Sequence, residues 1–185
     1  MKAATGGSLI GLVLLASACS DRPTTFTAPV FESAFSVAAG DAKTEVVPLA
    51  GRFEVPERDT PAIGTAIFHL TDDGTGLDYA LRVANIHNVV QAHIHIGAAG
   101  ANGPVGVFLF GPVDPAGGPV HGVIAEGTIT ADDFIGPLAG LTLADLVAEI
   151  EAGNTYVNVH TDDGVDPTNT GPGDFPGGEV RGQIR

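Results

Sequence analysis

The chain has 185 residues and a formal net charge of −14, from 22 acidic against 8 basic side chains. A surface this acidic repels a phosphate backbone and excludes nucleic acid as a partner. With 44% hydrophobic residues the chain is too apolar to be disordered, and its 26 glycines and 13 prolines break long helices. Many short strands joined by tight turns fit this composition best.

The first eighteen residues are expected to be removed as a signal peptide. Lys2 supplies a positive charge, Ser8 to Leu15 (SLIGLVLL) an apolar core, and Ala16-Ser17-Ala18 the small residues before a cut. The apolar core is far shorter than the roughly 20 residues that span a bilayer. Leu15-Ala16-Ser17-Ala18-Cys19 resembles a bacterial lipobox, in which the cysteine is acylated; Ala16-x-Ala18 also suits ordinary secretion. Cys19 is the only cysteine, so an internal disulfide is impossible, and lipidation accounts for a lone thiol at this point. The lipid anchor is the expected membrane contact, and the expected location is the bacterial cell envelope, at the outer membrane or cell surface; secretion or the periplasm is the alternative.

Residues 19–45, rich in Pro, Thr, Ser and Ala, read as a tether with a short ordered piece around 31–37. From Val46 apolar and polar residues alternate in short runs bounded by Gly, Pro and Asp, the pattern of half-buried strands. The predicted strands cover 47–55, 64–70, 76–83, 90–96, 105–109, 123–129, 156–160 and 179–184. Asp73-Gly74 marks a hairpin turn between the second and third. One helix is expected. Leu143, Leu146, Val147 and Ile150 form one apolar stripe, Thr142 and Asp145 have capping-box spacing, and Gly153 stops the run. The architecture is therefore all-β: a single Greek-key β-sandwich or barrel-like domain over 46–185 with one short structural helix.

Four blocks then carry a family resemblance. Leu49-Ala50-Gly51-Arg52-Phe53-Glu54-Val55-Pro56 resembles the opening of CHRD (chordin-repeat) domains, and Ala92-His93-Ile94-His95-Ile96-Gly97 resembles their centre. Tyr156-Val157-Asn158-Val159-His160-Thr161 and Pro176-Gly177-Gly178-Glu179-Val180-Arg181-Gly182-Gln183-Ile184 resemble their two closing blocks. The family occurs in chordin, a secreted binder of growth factors, and in many exported bacterial proteins. The resemblance implies a β-fold outside the cytoplasm more firmly than any activity. The stretch 162–175 is longer and more acidic than the usual gap between the last two blocks.

Histidine is the best chemical candidate. On a strand His93 and His95 share one face while Ile94 and Ile96 share the other. Their Cα atoms lie about 6–7 Å apart, close enough to grip one ion. With Val157 and Val159 turned to the core, Tyr156, Asn158 and His160 turn away from it, so His160 meets the pair if the strands are neighbours. Three neutral imidazoles suit copper or zinc. His-x-His on a strand with a later histidine is also similar, locally, to copper/zinc superoxide dismutase, without that enzyme's full ligand set or its disulfide. His69 falls in an apolar strand run, and His87 and His121 in turns or loops. Asp162-Asp163-Gly164-Val165-Asp166 offers oxygens suited to calcium, although it lacks EF-hand spacing and Asp-Gly is ordinary turn chemistry. Glu179 and Arg181 are expected to pair with each other or a neighbour. Catalysis by a nucleophile finds no Gly-x-Ser-x-Gly and no second cysteine. The first functional expectation is a non-enzymatic binding module with a copper or zinc site at His93, His95 and His160, open to a protein or metal ligand. The alternatives are a superoxide dismutase-like redox enzyme and a structural or adhesive surface domain without metal.

Overall fold

The computed structural model describes residues 44–185 and Met1. The rest of the expected signal peptide, Cys19, and the tether up to residue 43 lie outside the described residues. Among the described residues no helix is long and apolar enough to cross a membrane.

Among the described residues eight strands and one α-helix follow in order: β1 (Thr44–Ala50), β2 (Ile63–Leu70), β3 (Leu77–His87), β4 (Val89–Ile96), β5 (Val105–Phe110), β6 (Pro119–Ile129), α1 (Leu143–Glu151), β7 (Thr155–Thr161) and β8 (Val180–Ile184). All eight join one antiparallel sheet in the order β5-β4-β7-β8-β1-β2-β3-β6. The sheet curls into a nearly closed barrel, as the all-β expectation requires. Its two edges, β5 and β6, come near one another, and Tyr79 on β3 reaches across to donate its hydroxyl to Leu109 O on β5 at 2.9 Å.

Period-two alternation explains the core. Val47, Leu49, Ala66, Phe68, Leu81, Ala92, Ile94, Val157, Val159, Val180 and Ile184 all point inward and are buried in one cluster. Helix α1 adds its stripe of Leu143, Leu146, Val147 and Ile150 to that cluster. Its N-terminus is closed reciprocally: Thr142 N donates to Asp145 Oδ2 at 2.8 Å and Asp145 N donates to Thr142 Oγ1 at 3.4 Å. Gly153 ends it at φ 70°, a left-handed conformation that glycine adopts without strain.

Most strand boundaries fall within a residue of the sequence expectation, but three strands differ further, and the first begins at Thr44, inside the stretch 19–45 expected to be tether. The first strand stops at Ala50 and enters a 3-10 turn over Gly51–Phe53. Gly51 O accepts from both Glu54 N and Arg58 N, and a Cβ at residue 51 would sit 2.4 Å from Arg58 O, so the chain tightens where alternation suggested extension. Strands β3 and β6 are longer than expected. They stay paired through irregularities between Leu81 and Arg82 and between Val83 and Ile86, where Asn85 takes φ 55°. His87 and His121 are therefore strand residues and not loop residues. The bulge breaks the alternation that would have marked them.

Candidate metal centre

Strands β4 and β7 are neighbours in register, with His93 opposite Asn158, His95 opposite Tyr156 and Gln91 opposite His160. The inward turn of Ile94, Val157 and Val159 sends His93, His95 and His160 to the outer face of the barrel. The three come together there. Each offers a ring nitrogen within 4.8 Å of the others. Ring centroids lie 4.8 Å apart for His93 and His160, 5.4 Å for His93 and His95, and 6.0 Å for His95 and His160.

This outer face is not solvated. His93, His95 and His160 are only 3%, 7% and 6% exposed, and every residue of β7 is buried. Three loops account for this. Asn102 Nδ2 donates to Val55 O at 2.7 Å, tying the loop after β4 to the loop after β1. Arg58 Nε donates to Gly178 O at 3.3 Å, tying the latter to the loop before β8. Phe108 on β5 closes against His93 edge-on, with centroids 4.4 Å apart. Alternation alone cannot distinguish a solvated polar face from one roofed by distant loops.

The hydrogen bonds assign the tautomers. A carbonyl only accepts, so His95 Nδ1 donates to Gly103 O at 2.9 Å and His160 Nδ1 donates to Pro176 O at 2.8 Å. In the neutral rings this leaves both Nε2 atoms as lone pairs. Such carbonyl support of the far nitrogen is how metal-ligating histidines are oriented. His93 Nδ1 lies 3.1 Å from His160 Nε2 and donates to it, which leaves His93 Nε2 bare as well. The Nε2 atoms of His93 and His95 are buried without a protein partner. Asn158 Oδ1, itself an acceptor, lies 2.9 Å from His160 Nε2. Asn158 Oδ1 and the His160 Nε2 lone pair thus face each other as two acceptors.

Burial holds the rings neutral. It pushes the His93 pKa down to about 3, helped by the neighbouring His160 and His95, and the His160 pKa to about 4 against the Pro176 hydrogen bond. His95 is lowered mainly by burial, with Gly103 and Asn158 opposing. At neutral pH the Nε2 lone pairs of His93 and His95 are therefore free, while that of His160 accepts from His93 Nδ1 and becomes a ligand only when that bond is released.

Four residues complete the site that reasoning from single positions did not assign to it. Tyr156 stacks on His95 at 4.7 Å with rings 4° from parallel, and Arg181 lies 3.3 Å over the Tyr156 ring. Arg181 also donates to Asn102 Oδ1 and Ala101 O at 3.2 and 2.8 Å, locking the loop after β4. Glu54 is buried, its pKa raised to about 7 by burial against the pull of Arg181. Asn158 stands beside Glu54 and pulls its pKa slightly down, while Glu54 Oε1 is buried without a hydrogen-bond partner. All four stand in the blocks that carry the family resemblance, and the two on β7 share the alternation of His160. Glu179 is buried away from the rings. It accepts from Thr60 Oγ1 at 2.5 Å, Thr161 Oγ1 at 2.7 Å and Gly173 N at 2.9 Å. Glu179 thus serves loop attachment, while the carboxyl facing Arg181 is that of Glu54.

Of the other histidines, His69 sits on β2 beside Thr44 Oγ1 at 3.2 Å, and His121 Nδ1 accepts from Asn85 N at 3.3 Å. Neither belongs to the cluster.

Fold and site together define a small all-β module with a roofed histidine cluster on one barrel face. The model of the CHRD domain matches residues 46–184, and the chain belongs to the CHRD domain family. Membership supports the role of a binding module. No curated protein and no solved structure matches the chain.

Proposed function

We propose that the domain is a non-enzymatic binding module of the cell envelope that holds one copper or zinc ion on His93, His95 and His160. The observation that carries this is the pair of buried Nε2 atoms without partners, on rings turned by hydrogen bonds at their opposite nitrogens. Each such atom costs about 1–3 kcal/mol if left bare. A d-block ion coordinated by imidazole removes that cost, and neutral nitrogen donors suit copper and zinc better than calcium or magnesium. The burial of all three histidines under the three loops favours storage or structural binding over turnover. A lipid on Cys19 would hold the module at the membrane, clear of anionic headgroups that its charge repels.

Metal analysis of the protein purified without an affinity tag tests the reading. The expected result is about one copper or zinc per chain, lost in a His93→Ala/His95→Ala variant. Superoxide turnover by the loaded protein would instead support the dismutase-like enzyme. No bound metal at micromolar supply would leave a structural or adhesive domain. Transfer of the protein from the membrane to the soluble fraction in a Cys19→Ser variant is expected from the anchor; continued membrane association would overturn it.

A further inference from the structure

The acidic segment between β7 and β8 holds a second convergence of ligand atoms. Asp162, Asp163 and Asp174 each place a carboxylate oxygen within 4.8 Å of the others. The backbone beneath them is fastened: Asp162 N donates to Asn88 O and Ala116 N donates to Asp162 O, each at 3.0 Å. Asn88 Nδ2 donates to Gly173 O at 3.1 Å. Asp162 Oδ1 accepts from Gly164 N at 2.7 Å and Asp163 Oδ1 from Val165 N at 2.8 Å, turn bonds that use one oxygen of each.

Asp174 is the observation that points to a ligand. It is 1% exposed. Its Oδ2 accepts from Thr170 N and Thr170 Oγ1, both at 2.8 Å, while its Oδ1 is buried with no donor. A buried carboxylate oxygen without a partner is costly, and two further carboxylates beside it in so acidic a chain add repulsion. A cation among the three relieves both. We propose that Asp162, Asp163 and Asp174 form a calcium site, independent of the histidine cluster. An all-carboxylate set of hard oxygens suits calcium better than copper or zinc, and calcium's flexible shell of roughly 6–8 oxygens takes the remainder from backbone carbonyls and water. Magnesium, which keeps several of its own waters, fits three converging carboxylates less well. The third ligand is thus Asp174 and not Asp166, the acid that adjacency suggests.

Calorimetric titration and thermal melts of the full chain, stripped with a chelator, test the site with calcium chloride. One ion per chain is expected, with a dissociation constant of about 0.1–1 mM as in extracellular modules. The melting temperature should rise by several degrees at saturation, and Asp163→Asn and Asp174→Asn should each weaken binding about tenfold or more. Asp163→Asn keeps the acceptor for Val165 N, so it reads out even if Asp174→Asn does not fold. No binding up to about 10 mM, ten times the weakest expected constant, overturns the site. Unchanged binding in the Asp163→Asn variant overturns its location, and an equal response to magnesium overturns the choice of ion.

Discussion

His93 and His160 change their ordinary character once folded, and the consequence is measurable as pH falls. In the unfolded chain both titrate near 6.5; folded and metal-free, they titrate at about 3 and about 4. Below pH 6.5 the unfolded chain takes up protons that the folded one refuses, so their contribution to stability is lost as pH falls toward 4. Glu54 has the opposite sign. Its folded pKa of about 7 stands above the ordinary 4.5, so its contribution is present below pH 4.5 and lost as pH rises through 7. A Glu54→Gln variant separates the two. Its melting temperature should exceed that of the parent by a few degrees at pH 8, match it near pH 4, and fall more steeply between pH 6.5 and 5. A melting-temperature series over pH 4–8 reads this directly, and equal curves would refute the buried carboxyl. At the histidines, His95→Ala should weaken copper or zinc binding by more than the roughly 10–100-fold that loss of a supporting partner costs. Gly178→Ala should disturb the same site without touching a ligand. Residue 178 takes φ 119°, and a Cβ there would lie 2.4 Å from Glu54 Oε1 and 2.7 Å from Asn158 Nδ2.

Helix α1 shows how local chemistry and packing divide the stability of one element. Thr142→Ala removes the cap and should cost about 1 kcal/mol. Leu146→Ala opens a cavity at a fully buried position and should cost about 2–5 kcal/mol. Urea denaturation with a common slope compares the two, and a reversed order would mean that the stripe is not core. The helix was legible in the sequence to its caps, because a capping box and a 3.6-residue stripe are local signals. The first strand was not. Gly51 turns with its carbonyl accepting from Arg58 N, seven residues on, and alternation carries no trace of that contact. His87 and His121 were lost in the same way, since the bulge that keeps β3 and β6 paired is a property of the pair.

For the whole molecule the seam between β5 and β6 matters most, because an open sheet exposes edges that a closed one hides. Tyr79 spans that seam, and its phenol pKa is raised by burial and by Asp133. Tyr79→Phe should cost about 0.5–1.5 kcal/mol, measured by denaturation, and should quicken hydrogen exchange at the β5 edge if the bond helps close the barrel. No change in either would place closure on core packing alone.

Sequence by itself determined the all-β class, the strand faces, the capped helix and the shared face of His93, His95 and His160, because alternation, capping and turn residues act over a few positions. Tertiary structure alone decided that β4 and β7 lie side by side and that loops from three distant parts of the chain cover their outer face. It also brought Glu54 and Arg181 to the histidines and Asp174 to Asp162 and Asp163. Burial, tautomer and proton affinity depend on that covering. They arise from atoms eight to more than a hundred residues apart in the chain, and no local pattern encodes such a meeting.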